Sequence, residues 1–160
     1  MSITLKINSE EVTTHCGPLT RLIDLLRDEL QLTGAKPVCL EGFCGACTVL
    51  IDGMPRMSCL AAIGLLENKE ICTIESLDKK DSLSRLQLAF EEADAVQCGM
   101  CFPGMVMSLT GNLSKLTATS TRDDVKALLS GNICRCTGYE RIVDAVIEML
   151  AIDRDEEHDV

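Results

Sequence analysis

The sequence predicts an α+β chain in two parts, with strands and one helix over residues 1–78 and four helices over residues 79–160. Three observations lead there. Apolar residues alternate with polar ones at the very start, the period of a half-buried strand. From about Ser82 the apolar spacing changes to three and four, the period of a helix. Between the two regimes lies a polar stretch, Leu77-Asp78-Lys79-Lys80-Asp81, with the composition of a boundary.

In the first part, Ile3, Leu5 and Ile7 alternate with Thr4 and Lys6, and Asn8-Ser9-Glu10-Glu11 reads as a turn. Val12-Thr13-Thr14-His15 is expected to return as the second strand of a hairpin. Gly17-Pro18 is expected to open a helix whose buried face carries Leu19, Leu22, Ile23, Leu26 and Leu30, and Thr33-Gly34 to end it. Thr48-Val49-Leu50-Ile51 reads as a strand closed by the turn Asp52-Gly53, and Ile71-Cys72-Thr73-Ile74 as another. Two strands, a helix, then further strands is the order of a β-grasp domain.

In the second part, Ser82 is expected to cap a helix with Leu83, Leu86, Phe90 and Ala93 on one face. Pro103 starts the next helix, carrying Val106, Leu109 and Leu113. Thr121-Arg122-Asp123-Asp124 is a capping box with Asp in place of Glu, leading into Val125, Leu128 and Leu129. Gly138 precedes the last helix, lined by Ile142, Val146, Met149 and Leu150. Four such helices make a small bundle.

Composition narrows the function. Aromatics are only 2% of the chain, so the core must be aliphatic. A net charge of −10 repels phosphate backbones and argues against nucleic acid. Part of that charge sits in Asp153-Arg154-Asp155-Glu156-Glu157-His158-Asp159, expected to be a solvated, frayed tail. No leader or membrane span is visible, so the expected location is the cytoplasm, with no membrane partner. Ten cysteines are many for that compartment and point to metal or redox chemistry rather than disulfides.

Eight of them fall into two groups. Cys39, Cys44 and Cys47 have the spacing C-x4-C-x2-C, followed after eleven residues by Cys59. That is the plant-type 2Fe–2S pattern. Such a loop wraps its cluster with backbone N–H groups aimed at sulfur, and Gly42 and Gly45 permit the positive φ angles this requires. The second group is Cys98, Cys101, Cys134 and Cys136. It lies between the expected starts of two helices, where partial positive charge favours thiolates. Zinc is the alternative for either group. The two groups lie in separate segments and are expected to behave independently. Cys16 and Cys72 read as small buried hydrophobes. The methionines read as core filling, apart from Met100 in the second cysteine loop. No P-loop, dinucleotide fingerprint or nucleophile elbow is present.

The runs Cys39–Leu50, Gln97-Cys98-Gly99-Met100-Cys101-Phe102-Pro103-Gly104 and Gly131-Asn132-Ile133-Cys134-Arg135-Cys136-Thr137-Gly138-Tyr139 resemble the iron–sulfur subunit of the molybdenum hydroxylases, the xanthine dehydrogenase and aldehyde oxidoreductase family. The resemblance covers about residues 3–150. It implies an N-terminal β-grasp plant-type ferredoxin domain followed by a four-helix 2Fe–2S domain. The eight cysteines would ligate two 2Fe–2S clusters. It also implies a large partner subunit carrying the molybdenum cofactor, a medium subunit carrying FAD, and a dimer of such heterotrimers. Gln97 and Cys136 would touch the pterin. Electrons would pass from molybdenum through the second cluster, then the first, to FAD. Two residues depart from the family pattern: Val38 where Gly usually precedes the first cysteine, and Phe102 where Thr usually follows the Cys101 position. A free-standing two-cluster ferredoxin and a zinc-stabilised interaction module are the competing functions.

Overall fold

The computed structural model describes residues 2–77 and 82–156, the last four as backbone only. The expected boundary at 77–81 falls almost wholly outside them, as do Met1 and the end of the acidic run with His158.

Strand β1, Ile3–Ile7, buries Ile3, Leu5 and Ile7 and exposes Thr4 and Lys6. The two-residue turn Asn8-Ser9 has φ of 52° and 70° at its centre, a geometry that matches strand twist. The return strand β2 therefore begins two residues earlier than expected and spans Glu10–Thr14. Strand β3, Thr48–Ile51, turns through Asp52-Gly53, again with both φ positive, into β4, Met54–Met57. The sequence reading did not name β4. It is short, contains Pro55, and lies at a sheet edge, where a missing N–H is tolerated. Strand β5, Glu70–Cys72, completes the order β2-β1-β5-β3-β4, parallel to β1 and antiparallel to β3. Ile74, expected in this strand, instead starts a 3₁₀ turn, Ile74–Leu77.

The first helix differs most from expectation. Residues 17–20 close a tight turn, Thr20 N–H on the Gly17 carbonyl, and extended Arg21 bridges to Ala62; alongside, Leu22 N–H donates to the Ala61 carbonyl, Ile63 N–H to that of Thr20, and Gly64 N–H to that of Pro18. Those bonds use the groups a helix would need. Leu19 is 87% exposed and not on a buried face. The helix α1 begins only at Leu22–Asp24 and continues as a wider turn, Leu25–Glu29, where Leu30 N–H reaches back five residues to Leu25. Leu22, Leu25 and Leu26 join Ile3, Leu5, Ile7, Val49 and Ile71 in one aliphatic core, and Ile23 turns toward Cys47 and Cys59.

In the helical part, α2 spans Arg85–Glu92, and its cap is Ser84, not Ser82. Ser84 and Gln87 form a reciprocal capping box, and Leu83 lies outside the helix, half exposed. Ser84→Ala is expected to lower stability by about 1 kcal/mol, read as a drop in the denaturation midpoint; an unchanged midpoint would show that the cap is idle. Helix α3, Phe102–Thr110, buries every residue from Pro103 to Leu109. One face joins the helical core of Phe90, Val125, Val143 and Val146. The other packs on β3, so close that a Cβ at Gly111 would lie 2.6 Å from Leu50 Cδ2. Helix α4, Arg122–Leu128, carries the expected Thr121/Asp124 capping box. Helix α5, Glu140–Glu156, buries Ile142, Val146, Met149 and Leu150 as expected, and takes the start of the acidic run into its last turn. No helix among the described residues is long and apolar enough to cross a membrane.

Candidate iron–sulfur sites

The eight cysteines singled out by spacing come together as two groups of four. In the first, residues 39–47 form a loop whose amides point inward. The N–H groups of Glu41 and Cys44 donate to Cys39 Sγ at 3.5 and 3.4 Å. These bonds, that from Glu41 foremost, hold the Cys39 thiol down to about 6. The loop closes because Leu40, Gly42 and Gly45 all take positive φ. Leu40 adopts this conformation without being glycine, which the sequence did not signal.

Cys59 arrives from the far end of β4. Ser58 donates to the Cys47 carbonyl through both its N–H (3.2 Å) and its hydroxyl (2.8 Å), and so sets Cys59 beside Cys47. Burial, then a thiol–thiol bond with Cys47, pushes the Cys59 thiol up to about 11. The Gly42 amide opposes this by donating to its sulfur. The unnamed strand β4 and the buried Ser58 are therefore what complete this group.

The second group lies where the sequence expected it, at the starts of α3 and α5. Cys101 is the N-cap of α3, and Gly99, with φ of 77°, turns the chain between Cys98 and Cys101. Cys136 Sγ contacts Cys98 Sγ at 3.5 Å. The Met100 amide, then Cys136, lowers the Cys98 thiol, while the same contact raises Cys136. Burial, then contact with Cys134, pushes Cys101 up to about 12. Burial is also the largest influence on Cys134 and acts upward, but the hydroxyl and amide of Thr137, the amide of Cys136 and the Cys101 thiol together outweigh it and leave Cys134 lowered. Tyr139 braces this loop: its hydroxyl accepts from Cys134 N–H at 2.9 Å and donates to the Asn132 carbonyl at 3.2 Å.

This donor set fits two-iron clusters. The thiols meet in pairs, Cys39 with Cys44, Cys47 with Cys59, Cys98 with Cys136 and Cys101 with Cys134. Among the described residues no three His, Cys, Asp or Glu are placed to hold a single ion. A cluster of two irons asks for two thiolates at each iron, with N–H donors around the sulfurs.

The two groups touch through their loops. Ile133 N–H donates to the Cys44 carbonyl at 2.9 Å, and Asn132 Nδ2 donates to the Gly45 carbonyl at 3.1 Å. A Cβ at Gly104 would lie 2.1 Å from that same Gly45 oxygen. The loop of the first group thus rests directly on α3 and on the strand of chain leading into Cys134.

Comparison with known proteins is consistent throughout. Residues 21–87 match the 2Fe-2S iron-sulfur cluster binding domain family, and residues 73–147 the 2Fe-2S binding domain family. The caffeine dehydrogenase subunit gamma of Pseudomonas sp. (strain CBB1) is 42% identical over 149 residues, covering 90% of this chain and 87% of that protein. The xanthine dehydrogenase iron-sulfur-binding subunit of Escherichia coli O157:H7 is 42% identical over 153 residues, covering 92% and 93%. This chain belongs to the iron–sulfur subunits of the molybdenum hydroxylases. As such it is an electron-transfer subunit of an oxidoreductase. Its fold matches quinoline 2-oxidoreductase from Pseudomonas putida 86 at a TM-score of 0.89 and 39% identity, covering 97% of this chain and 96% of that one. It matches the aldehyde oxidoreductase from Desulfovibrio desulfuricans ATCC 27774 equally well, but there it corresponds to 17% of a longer chain.

The remaining singled-out residues of the iron–sulfur subunit sort as follows. Gln97 and Cys136 are both exposed, on the rim of an apolar cavity that also touches Cys98, Cys101, Phe102 and Cys134. Phe102 turns inward and meets Phe90 edge-on, ring centroids 5.7 Å apart. Val38 stays exposed, close in sequence to Phe43, which is 71% exposed. Cys16 is not the buried hydrophobe expected: its half-exposed thiol donates to Glu29 at 2.7 Å, which raises it. Cys72 is half-buried, and burial raises it. His15 lies just past β2, exposed.

Proposed function

We propose that this subunit is the relay between a molybdenum site and a flavin, in a complex with a large subunit carrying the molybdenum cofactor and a medium subunit carrying FAD. Cys39, Cys44, Cys47 and Cys59 hold one 2Fe–2S cluster, and Cys98, Cys101, Cys134 and Cys136 hold the other. Each cluster supplies one-electron storage when bound. The chain divides into a β-grasp ferredoxin domain, residues 1–78, and a four-helix-bundle domain, residues 79–160, and works in the cytoplasm as part of a dimer of heterotrimers.

The observation that carries this proposal is the link between the two groups. From Cys44 a single hydrogen bond, carbonyl to Ile133 N–H, leads to the residue before Cys134. A wire needs such a short bonded connection; two unrelated structural metal sites do not. The exposed sides of the two groups support two partners. Val38, Phe43 and Leu60 are exposed apolar residues from the first group's loop and the turn after Cys59, and Val96, Met100 and Ile133 lie near the second. Apolar side chains at both ends suit burial against other subunits.

Gln97 offers an amide donor and acceptor to a heterocycle edge, and Cys136 stands beside it as a cluster ligand. Gln97→Ala is expected to slow reduction of the clusters by substrate in the whole complex, with both clusters still assembled and transfer to the acceptor unchanged. Rapid mixing followed by cluster absorbance reads this directly. Wild-type reduction kinetics in that variant would remove Gln97 from the relay.

A further inference from the structure

Asn132 is buried, with 4% of its surface exposed, between the stop of α4 and Cys134. It joins three elements. Its backbone N–H donates to the Leu129 carbonyl at 2.9 Å. Its carbonyl accepts from the Tyr139 hydroxyl at 3.2 Å, the same hydroxyl that holds Cys134 N–H. Its side-chain amide donates to the Gly45 carbonyl, 87 residues away in the chain.

Gly45 leaves little room for this contact to shift. Its carbonyl also accepts from Thr48, through the hydroxyl at 2.7 Å and the amide at 3.1 Å. A Cβ on Gly45 would lie 2.3 Å from the Gly131 carbonyl and 2.6 Å from Asn132 Nδ2. Immediately beside this clamp, Ile133 N–H meets the Cys44 carbonyl. A buried primary amide is a costly group to leave unpaired, so its bond has a well-defined direction.

We propose that Asn132 is a positioning residue that sets the register of the second thiolate loop on the first, keeping Ile133 N–H on the Cys44 carbonyl so that the two clusters sense one another. This rests on the ligand assignment proposed above. A residue that only filled space here would affect stability and nothing else. A residue that sets register also fixes the separation and relative orientation of the clusters, and so their magnetic interaction.

The test uses the full chain assembled with its partner subunits, comparing wild type with Asn132→Ala and Asn132→Asp. Asn132→Asp keeps the shape and removes the donor toward Gly45. The readouts are iron and sulfide content, the spin–spin splitting in the electron paramagnetic resonance spectrum of the fully reduced protein, and hydrogen exchange of the 131–133 segment. The expected result is unchanged iron, a splitting that shifts or collapses, and exchange at 131–133 faster by roughly tenfold, the weight of one hydrogen bond. Thr48→Val, which removes another donor from the same carbonyl without touching the second loop, is expected to leave the splitting as in wild type.

Where Asn132→Asp loses the second cluster, Asn132→Ala carries the test. Wild-type splitting in Asn132→Ala, with or without a lowered melting temperature, would overturn the proposal. So would loss of the second cluster from Asn132→Ala, which would make Asn132 a folding residue. A wild-type complex lacking one of the two clusters would instead overturn the ligand assignment beneath it, and iron analysis of the unmutated protein separates the two failures.

Discussion

Cys59→Ala is expected to remove about half of the iron and acid-labile sulfide and one of two electron paramagnetic resonance signals, leaving the second cluster assembled and its signal without the splitting that the lost cluster imposed. The thiol of Cys59 pairs with Cys47, and its neighbours are Ile23 of α1, Met57 of β4 and Leu40 of the first loop. None of its described contacts reaches the second group. Cys44→Ala is expected to do more. It also empties the first site, and the substitution falls on the residue whose carbonyl holds Ile133 N–H, so it disturbs that contact directly and should loosen the second loop, read as faster hydrogen exchange at 131–133 than in Cys59→Ala. Cys16→Ala, remote from both groups, should keep full iron. Metal analysis of the three variants, with hydrogen exchange for the first two, decides this. Full iron in Cys59→Ala, or loss of a cluster from Cys16→Ala, would mean the cysteines are wrongly sorted.

Gly104→Ala is the second large effect. The added methyl would sit 2.1 Å from the Gly45 carbonyl and 2.9 Å from the Ala46 Cα, both backbone atoms of the first cysteine loop. Neither is the free end of a side chain, so α3 or the loop must move. A destabilisation of roughly 2–3 kcal/mol is expected, with disturbed assembly at one or both sites. Gly131→Ala provides the contrast. Its methyl would meet only Met57 Cε at 3.7 Å, ordinary contact with a flexible tip, and should be tolerated. Equal melting temperatures for the two variants would show that the close approach at Gly104 is not a constraint.

The cysteine groups were legible in the sequence because ligand spacing is a local property. Cys39 to Cys47 and Cys98 to Cys101 each lie within one loop; one distant cysteine, Cys59, follows the first, and the close pair Cys134 and Cys136 follows the second. The strands β1 and β3 and helices α4 and α5 were legible for a similar reason: alternation, a capping box, and a periodic apolar face are short-range signals. What escaped was decided at long range. The segment around Leu19 has a helical apolar pattern, but residues 61–64 bond to it and hold it as a turn that enters the helix only at Leu22. Strand β4 has a proline and no alternation of apolar residues, and is a strand only because β3 offers it a partner. Ser58, Asn132 and Tyr139 carry no motif that separates them from ordinary polar residues. Their positions matter because the fold brings Cys47, Gly45 and Cys134 to them. The contact between residues 44–45 and 131–133 went unforeseen for the same cause: sequence distance concealed it.

The most direct test of the relay is metal analysis of the intact complex combined with electron paramagnetic resonance on full reduction. About four iron and four acid-labile sulfide per copy of this chain are expected, with two distinct rhombic signals from a red-brown protein. A colourless chain with zinc in place of iron, or a single signal with about two iron, would contradict it.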